Sequence, residues 1–152
     1  MEICKSRDDV WDDLSKMLIE SQPNEEVLAA FDQAIQTQPH HYRVWYFRGW
    51  ILSQLQRYEE AIASLDQAIQ IRSNQGQAWS NRGLVLLQLQ QYEEAIASFD
   101  QAIQIKSDDY HSWYFRGWVL WQLQRFSEAI ASFDQATQIK PDCNLSLLCP
   151  EW

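Results

Sequence analysis

The sequence predicts an all-α protein built as four tandem helix–turn–helix units, and three observations carry that prediction. Tryptophan recurs every 34 residues, as Trp11, Trp45, Trp79 and Trp113. Behind the last three stands one string in variant form: Trp45-x2-Arg48-Gly49, Trp79-x2-Arg82-Gly83 and Trp113-x2-Arg116-Gly117. A second string, Glu59-Glu60-Ala61-Ile62-Ala63-Ser64, returns as Glu93 to Ser98 and, with one change, as Ser127 to Ser132. A fixed period of this length marks a repeat array, in which no unit can bury its apolar face alone and each stacks on its neighbours. The period divides the chain into units 8–41, 42–75, 76–109 and 110–143. Together they make one domain, 1–143, followed by a short tail, 144–152.

Each unit justifies its two helices in turn. In the first, Trp11 stands on the opening helix and Pro23 breaks the chain before the second. Asn24, just ahead of Glu25 and Glu26, is placed as an N-cap, with acids in the first turn where the helix dipole favours them. Phe31 and Ala34 continue the second helix. The second unit follows Pro39 and reads Trp45, Gly49, then Ala61, Leu65, Ala68. In the third, Trp79, Gly83, Leu86 and Leu87 recur at three and four, as one helix face requires; Ala95, Ile96, Phe99, Ala102 and Ile103 repeat that pattern. The fourth reads Trp113, Gly117, Ala129, Phe133, Ala136. A glycine inside a helix costs about 1 kcal/mol relative to alanine, so its return at Gly49, Gly83 and Gly117 implies that two helices pass too closely for a side chain.

These residues resemble the tetratricopeptide repeat, a 34-residue helical hairpin. Its signature is a Trp, a small residue four later, an Ala sixteen after the Trp and an aromatic four beyond. The third repeat matches as Trp79, Gly83, Ala95, Phe99, Ala102. The first is degenerate, with Ser15 for the Gly and Val27 for the Ala. Other departures are Arg48, Arg82 and Arg116 where the family usually has Leu, and Leu52, Leu86 and Leu120 where it often has Tyr. The resemblance covers almost the whole chain and implies a right-handed α-solenoid. Its function would be that of a non-enzymatic adaptor or scaffold, holding a partner peptide or helix in the concave groove lined by the first helix of each unit.

Composition bounds the alternatives. Net charge is −9 over 152 residues, with the acids concentrated before residue 42. An acidic chain with scattered Arg lacks the basic stripe that nucleic acid requires. No apolar run approaches membrane-spanning length, Met1 to Glu20 lacks a signal-peptide core, and cytoplasmic location is the default. Cys4, Cys143 and Cys149 are odd in number and peripheral, which fits reduced thiols rather than a disulfide framework. No Cys/His spacing suits zinc, and no phosphate loop or nucleophile motif appears. No active site, metal or cofactor is expected.

The groove positions implied by the resemblance carry the sharpest signal. The string Trp-Tyr-Phe-Arg-Gly-Trp occurs at 45–50 and again at 113–118, whereas 79–84 read Trp-Ser-Asn-Arg-Gly-Leu. Phe47, Trp50, Phe115, Trp118 and Trp121 have no aromatic equivalent in the third unit, so the repeat's own packing does not demand them. Exposed apolar surface marks interaction sites, and Trp and Tyr dominate binding hot spots. The candidate site is therefore Arg43, Tyr46, Phe47, Trp50, Asn81, Leu84, His111, Tyr114, Phe115, Trp118 and Trp121, with a protein or peptide partner offering apolar or aromatic side chains. Asn81 would hydrogen-bond the partner backbone and Arg43 would meet an acid. The alternative use of the same rings is packing along the inner wall. The family's clamp for acidic chaperone tails is not expected. In one frame its positions hold Asp12, Lys16, Phe47, Gln77 and Asn81; in the other they hold Tyr46, Trp50, Asn81, His111 and Phe115.

Two further expectations concern charge and ends. The series Arg48, Arg82, Arg116 shares its period with Asp66, Asp100, Asp134, which predicts a row of Arg–Asp pairs between the two helices of each unit, Arg82 with Asp100 among them. After Lys140 the tail carries Leu145, Leu147, Leu148 and Trp152, with Pro150 opposing a regular helix. Repeat arrays normally end on a polar cap. The tail would fold back as a makeshift cap, or the bare flank would make the protein a homodimer; self-association through that end or through the aromatic groove is the competing function.

Overall fold

The computed structural model describes residues 7–140, with side chains from Asp12 onward. These residues form eight helices: α1 Arg7–Glu20, α2 Glu25–Thr37, α3 Tyr42–Gln54, α4 Tyr58–Ile71, α5 Gly76–Gln88, α6 Tyr92–Ile105, α7 Tyr110–Gln122 and α8 Phe126–Ile139. There is no strand among the described residues, and the all-α class stands. The tail, Pro141 and the three cysteines lie outside the described residues.

The chain forms two compact units that divide between Ser73 and Asn74. In the first, α3 packs on α4 as a hairpin and α2 packs on α3; in the second, hairpins α5–α6 and α7–α8 meet through α6 and α7. The core of the first unit includes Phe31, Val44, Ile51, Leu52, Ala61, Leu65 and Ala68, all fully inaccessible. In the second unit, Ala78, Ala95, Phe99, Ala102, Val119, Leu120, Ala129 and Ala136 are equally inaccessible. Of the residues whose spacing of three and four predicted one apolar face, Leu86, Ala95, Ile96, Phe99 and Ala102 are buried, while Trp79, Leu87 and Ile103 are half-buried.

The recurring glycine answers to space. A Cβ on Gly83 would lie 2.8 Å from the Phe99 ring, and one on Gly49 2.8 Å from Leu65 Cγ. The recurring tryptophan has a polar duty as well as an apolar one. Trp45 Nε1 donates to the Pro39 carbonyl at 2.8 Å, and Trp113 Nε1 to the Ser107 carbonyl at 2.9 Å. The indole thus fastens the preceding loop to its helix, which no phenylalanine could do. Asn24 caps α2 as the sequence predicts, its Oδ1 accepting from Val27 N at 2.9 Å.

The turn inside each of the last three hairpins is identical. Gln56, Gln90 and Gln124 take left-handed backbone conformations with φ of 63°, 60° and 62°. Around Gln90, Gln91 N donates to the Leu86 carbonyl and Gln90 N to the Leu87 carbonyl, and the same pair of bonds closes the other two turns. This is a Schellman ending, in which a residue of positive φ lets the last carbonyls of the helix find donors. Glycine is the usual occupant, and glutamine here carries a Cβ into that region.

The arginine series pairs differently from the sequence expectation. Arg116 Nε donates to Asp100 Oδ1 at 2.6 Å and its Nη1 to Ser132 Oγ at 2.6 Å. Arg48 likewise holds Asp32 at 2.5 Å and the Ser64 hydroxyl. Arg82 Nη1 donates to Ser98 Oγ at 2.7 Å. Each arginine therefore reaches the serine of its own hairpin, and Arg48 and Arg116 reach the aspartate of the preceding one. The predicted Arg82–Asp100 pair is replaced by Arg116–Asp100. The reason is helical phase: Ser98 and Asp100 are two residues apart, about 200° around α6, so a serine facing its own hairpin sends the aspartate toward the next.

Candidate functional site

The aromatic residues lie on α3 and α7. In α3 the buried residues are Tyr42, Val44, Gly49, Ile51 and Leu52, while Tyr46, Phe47 and Trp50 are half-buried. In α7 the buried residues are Tyr110, Ser112, Gly117, Val119 and Leu120, and Tyr114, Phe115 and Trp118 are half-buried while Trp121 is 37% exposed. Here the outer rings stay partly open to solvent.

Within each unit these rings are in contact. Tyr42 stacks on Tyr46 at 5.9 Å, and Tyr46 meets Phe47 edge-on at 4.9 Å. The second unit repeats the arrangement: Tyr110 stacks on Tyr114 at 6.1 Å, and Tyr114 meets Phe115 edge-on at 5.1 Å. Spacings of this order are favourable aromatic geometries. Phe115 also stacks on Phe99 at 6.3 Å and Tyr114 touches Phe133 at 5.8 Å. Part of the aromatic series therefore serves packing, the alternative weighed from sequence. Trp121 stands edge-on to Phe126 at 4.8 Å, and Phe126 is itself 46% exposed.

The other expected residues fall as follows. Arg43 and His111 are exposed in the first turns of α3 and α7, and His111 stands edge-on to Tyr110 at 5.3 Å. Asn81 and Leu84 are half-buried on α5, which packs on α7 as well as on α6.

Sequence reasoning missed Tyr42 and Tyr110, although their period was visible as Tyr42, Gly76, Tyr110. Both are buried beneath the outer rings. A cation from the end of the same hairpin covers each: Arg72 lies 5.9 Å from the Tyr42 ring centre and Lys140 Nζ 5.3 Å from that of Tyr110. The Tyr42 hydroxyl is buried without a hydrogen-bond partner among the described residues. Burial pushes its pKa up to about 12, with the neighbouring Tyr46 adding to the rise and Arg72 opposing it.

Such a surface can bind; its rings, amide and single cations offer no convergent set of acids, bases or nucleophiles. Among the described residues, no group of three or more His, Cys, Asp or Glu could hold a metal ion, and no helix is long and apolar enough to cross a membrane.

Comparison with known proteins bears on the fold and the repeat. A family model described as tetratricopeptide repeat matches residues 71–110 and 80–142, and one described as TPR repeat matches 49–90. A model of the protein prenyltransferase alpha subunit repeat matches 24–55. Comparison with curated protein sequences gives no match. Among solved structures, YrrB, described as a TPR protein with an unusual peptide-binding site, superposes with a TM-score of 0.83 at 19% identity, covering 95% of this chain and 74% of that one. MamA 41-end from Desulfovibrio magneticus RS-1 gives 0.81 at 21% identity, covering 88% and 75%. A further MamA crystal structure gives 0.79 at 17% identity, covering 91% and 77%. At such identities the likeness speaks for the fold.

Proposed function

The chain belongs to the tetratricopeptide repeat family, and on that premise we propose that it is a protein-interaction scaffold that holds an apolar or aromatic segment of a partner on its outer rings. Trp50, Trp118 and Trp121 anchor the partner, Tyr46, Phe47, Leu84, Tyr114 and Phe115 complete the wall, and Asn81 bonds the partner backbone. Arg43 and His111 supply polar contacts at the edge. With its cysteines read as reduced thiols, the protein works in the cytoplasm and without catalysis.

One observation carries this reading. Across the last three repeats core positions such as Ala61, Ala95 and Ala129 keep their character, whereas the positions of the partly open rings switch from Tyr46-Phe47 and Trp50 to Ser80-Asn81 and Leu84, then back to Tyr114-Phe115 and Trp118. Packing constrains a core; a pattern that varies on the outside answers to something else. The peptide-binding site named for YrrB supports the same use of the fold. The test is selection of peptides from a displayed random library on the full chain. Aromatic-rich sequences that lose affinity about thirtyfold on Trp118→Ala, the size expected of a tryptophan hot spot, support the proposal. An empty selection, or binding indifferent to that change in a folded protein, overturns it.

A second reading, self-association, is favoured by α8. Ile130 there is 53% exposed, whereas Ile96, the same repeat position in α6, is 7% exposed. Phe126 lies one turn away. This reading predicts a molar mass that rises with concentration in light scattering and falls back with Ile130→Lys. A constant monomer mass over a hundredfold range contradicts it.

A further inference from the structure

The second and fourth repeats hold a buried ring that the third lacks, and the surroundings of that ring persist in the third. Gly76 stands where Tyr42 and Tyr110 stand, and Ser80 where Tyr46 and Tyr114 stand. In the complete repeats the first ring stacks on the second and lies under the cation that ends the hairpin, Arg72 or Lys140. In the third repeat the equivalent cation is Lys106, at the C-cap of α6.

The floor is also present. A Cβ on Gly76 would meet nothing closer than the Ala102 carbonyl at 3.5 Å and Ile105 Cγ2 at 3.7 Å, ordinary contact distances. Ile105 is 38% exposed, one of the few large apolar residues so open, while Ile71 and Ile139 at the same repeat position are half-buried. The difference follows the missing ring.

We propose that Gly76, Ile105 and Lys106 frame a ring-sized notch in the second unit that receives one Phe or Tyr side chain of the bound partner. The proposal deepens the scaffold reading and rests on it. The chain supplies the template for the occupant: its own Tyr42 and Tyr110 fill the equivalent places, continuous with the outer rings through Tyr46 and Tyr114. Since the Tyr42 hydroxyl finds no hydrogen bond there, the notch reads the ring and not the hydroxyl. An aromatic side chain gains both apolar contact with Ile105 and the face of the ring toward a cation. An aliphatic one gains only the first.

The test uses the full chain, the probe N-acetylphenylalaninamide and amide NMR shifts. Saturable shifts at Gly76, Gln77, Ile105 and Lys106 are expected, at least fivefold weaker for N-acetylleucinamide. Gly76→Tyr, which rebuilds the ring of the other repeats, should abolish them while the folded spectrum is kept. If that variant does not fold, Ile105→Asp, at an exposed position, should abolish them instead. Absence of shifts at these amides, or shifts that persist in the folded variants, overturns the notch. Library-selected peptides that bind wild type and Gly76→Tyr equally but fail with Trp118→Ala would also overturn it, leaving the scaffold reading intact.

Discussion

At the scale of single residues, polar groups are what the sequence left undecided. Arginine and aspartate share one period, so spacing alone fits pairing within a hairpin as well as between hairpins. Only the phase of α6, which turns Ser98 one way and Asp100 the other, decides between them. A double-mutant cycle on Arg116→Leu and Asp100→Leu should show coupling of about 0.5–1 kcal/mol, the range for a partly exposed pair. Arg82→Leu with Asp100→Leu should be additive. Tyr42 offers a second check. Its orphaned hydroxyl costs about 1 kcal/mol or more in a buried site, so Tyr42→Phe should raise stability by about 1 kcal/mol in urea unfolding. The raised pKa means that the folded chain holds this proton more tightly than the unfolded chain, whose tyrosine titrates near 10. The stabilisation is fully present below pH 10 and is lost as pH climbs through about 12. Tyr42→Phe should flatten that alkaline loss.

At the scale of elements, the helices were legible because their apolar residues recur at three and four while Pro23 and Asn24 mark a boundary. The turns were not, because glutamine gives no signal for positive φ; only the recurrence of Gln56, Gln90 and Gln124 hinted at a fixed role. A non-glycine residue in the left-handed region is strained by roughly 1–2 kcal/mol. Gln90→Gly gives back part of this in unfolded-chain entropy, and a net gain of about 0.5–1 kcal/mol is expected from thermal unfolding. Gly83→Ala should go the other way, by about 1–3 kcal/mol, because its methyl would press on the Phe99 ring. The aromatic side of α3 and α7 was legible from the repeated Trp-Tyr-Phe-Arg-Gly-Trp string. The buried Tyr42 and Tyr110 beneath it went unread because position one of the repeat carries no family signature, and the meaning of Gly76 depends on the rings that surround its equivalents.

At the scale of the whole molecule, the repeat explains how the chain folds and the breaks in the repeat explain what it can do. Core positions such as Ala61, Ala95 and Ala129 recur from hairpin to hairpin, so they specify the array and carry no information about a partner. The outer positions vary, and their variation places aromatic rings on the second and fourth repeats and a small, polar stretch on the third. The central claim is that these outer rings bind and do not merely pack. The most direct measurement is calorimetric titration of one library-selected peptide into the wild-type chain and into Trp118→Ala, with thermal unfolding of both proteins recorded alongside. The account predicts an affinity loss of about thirtyfold with a melting temperature nearly unchanged. Unaltered affinity, or a loss that only accompanies unfolding, would show that Trp118 belongs to the packing and would contradict it.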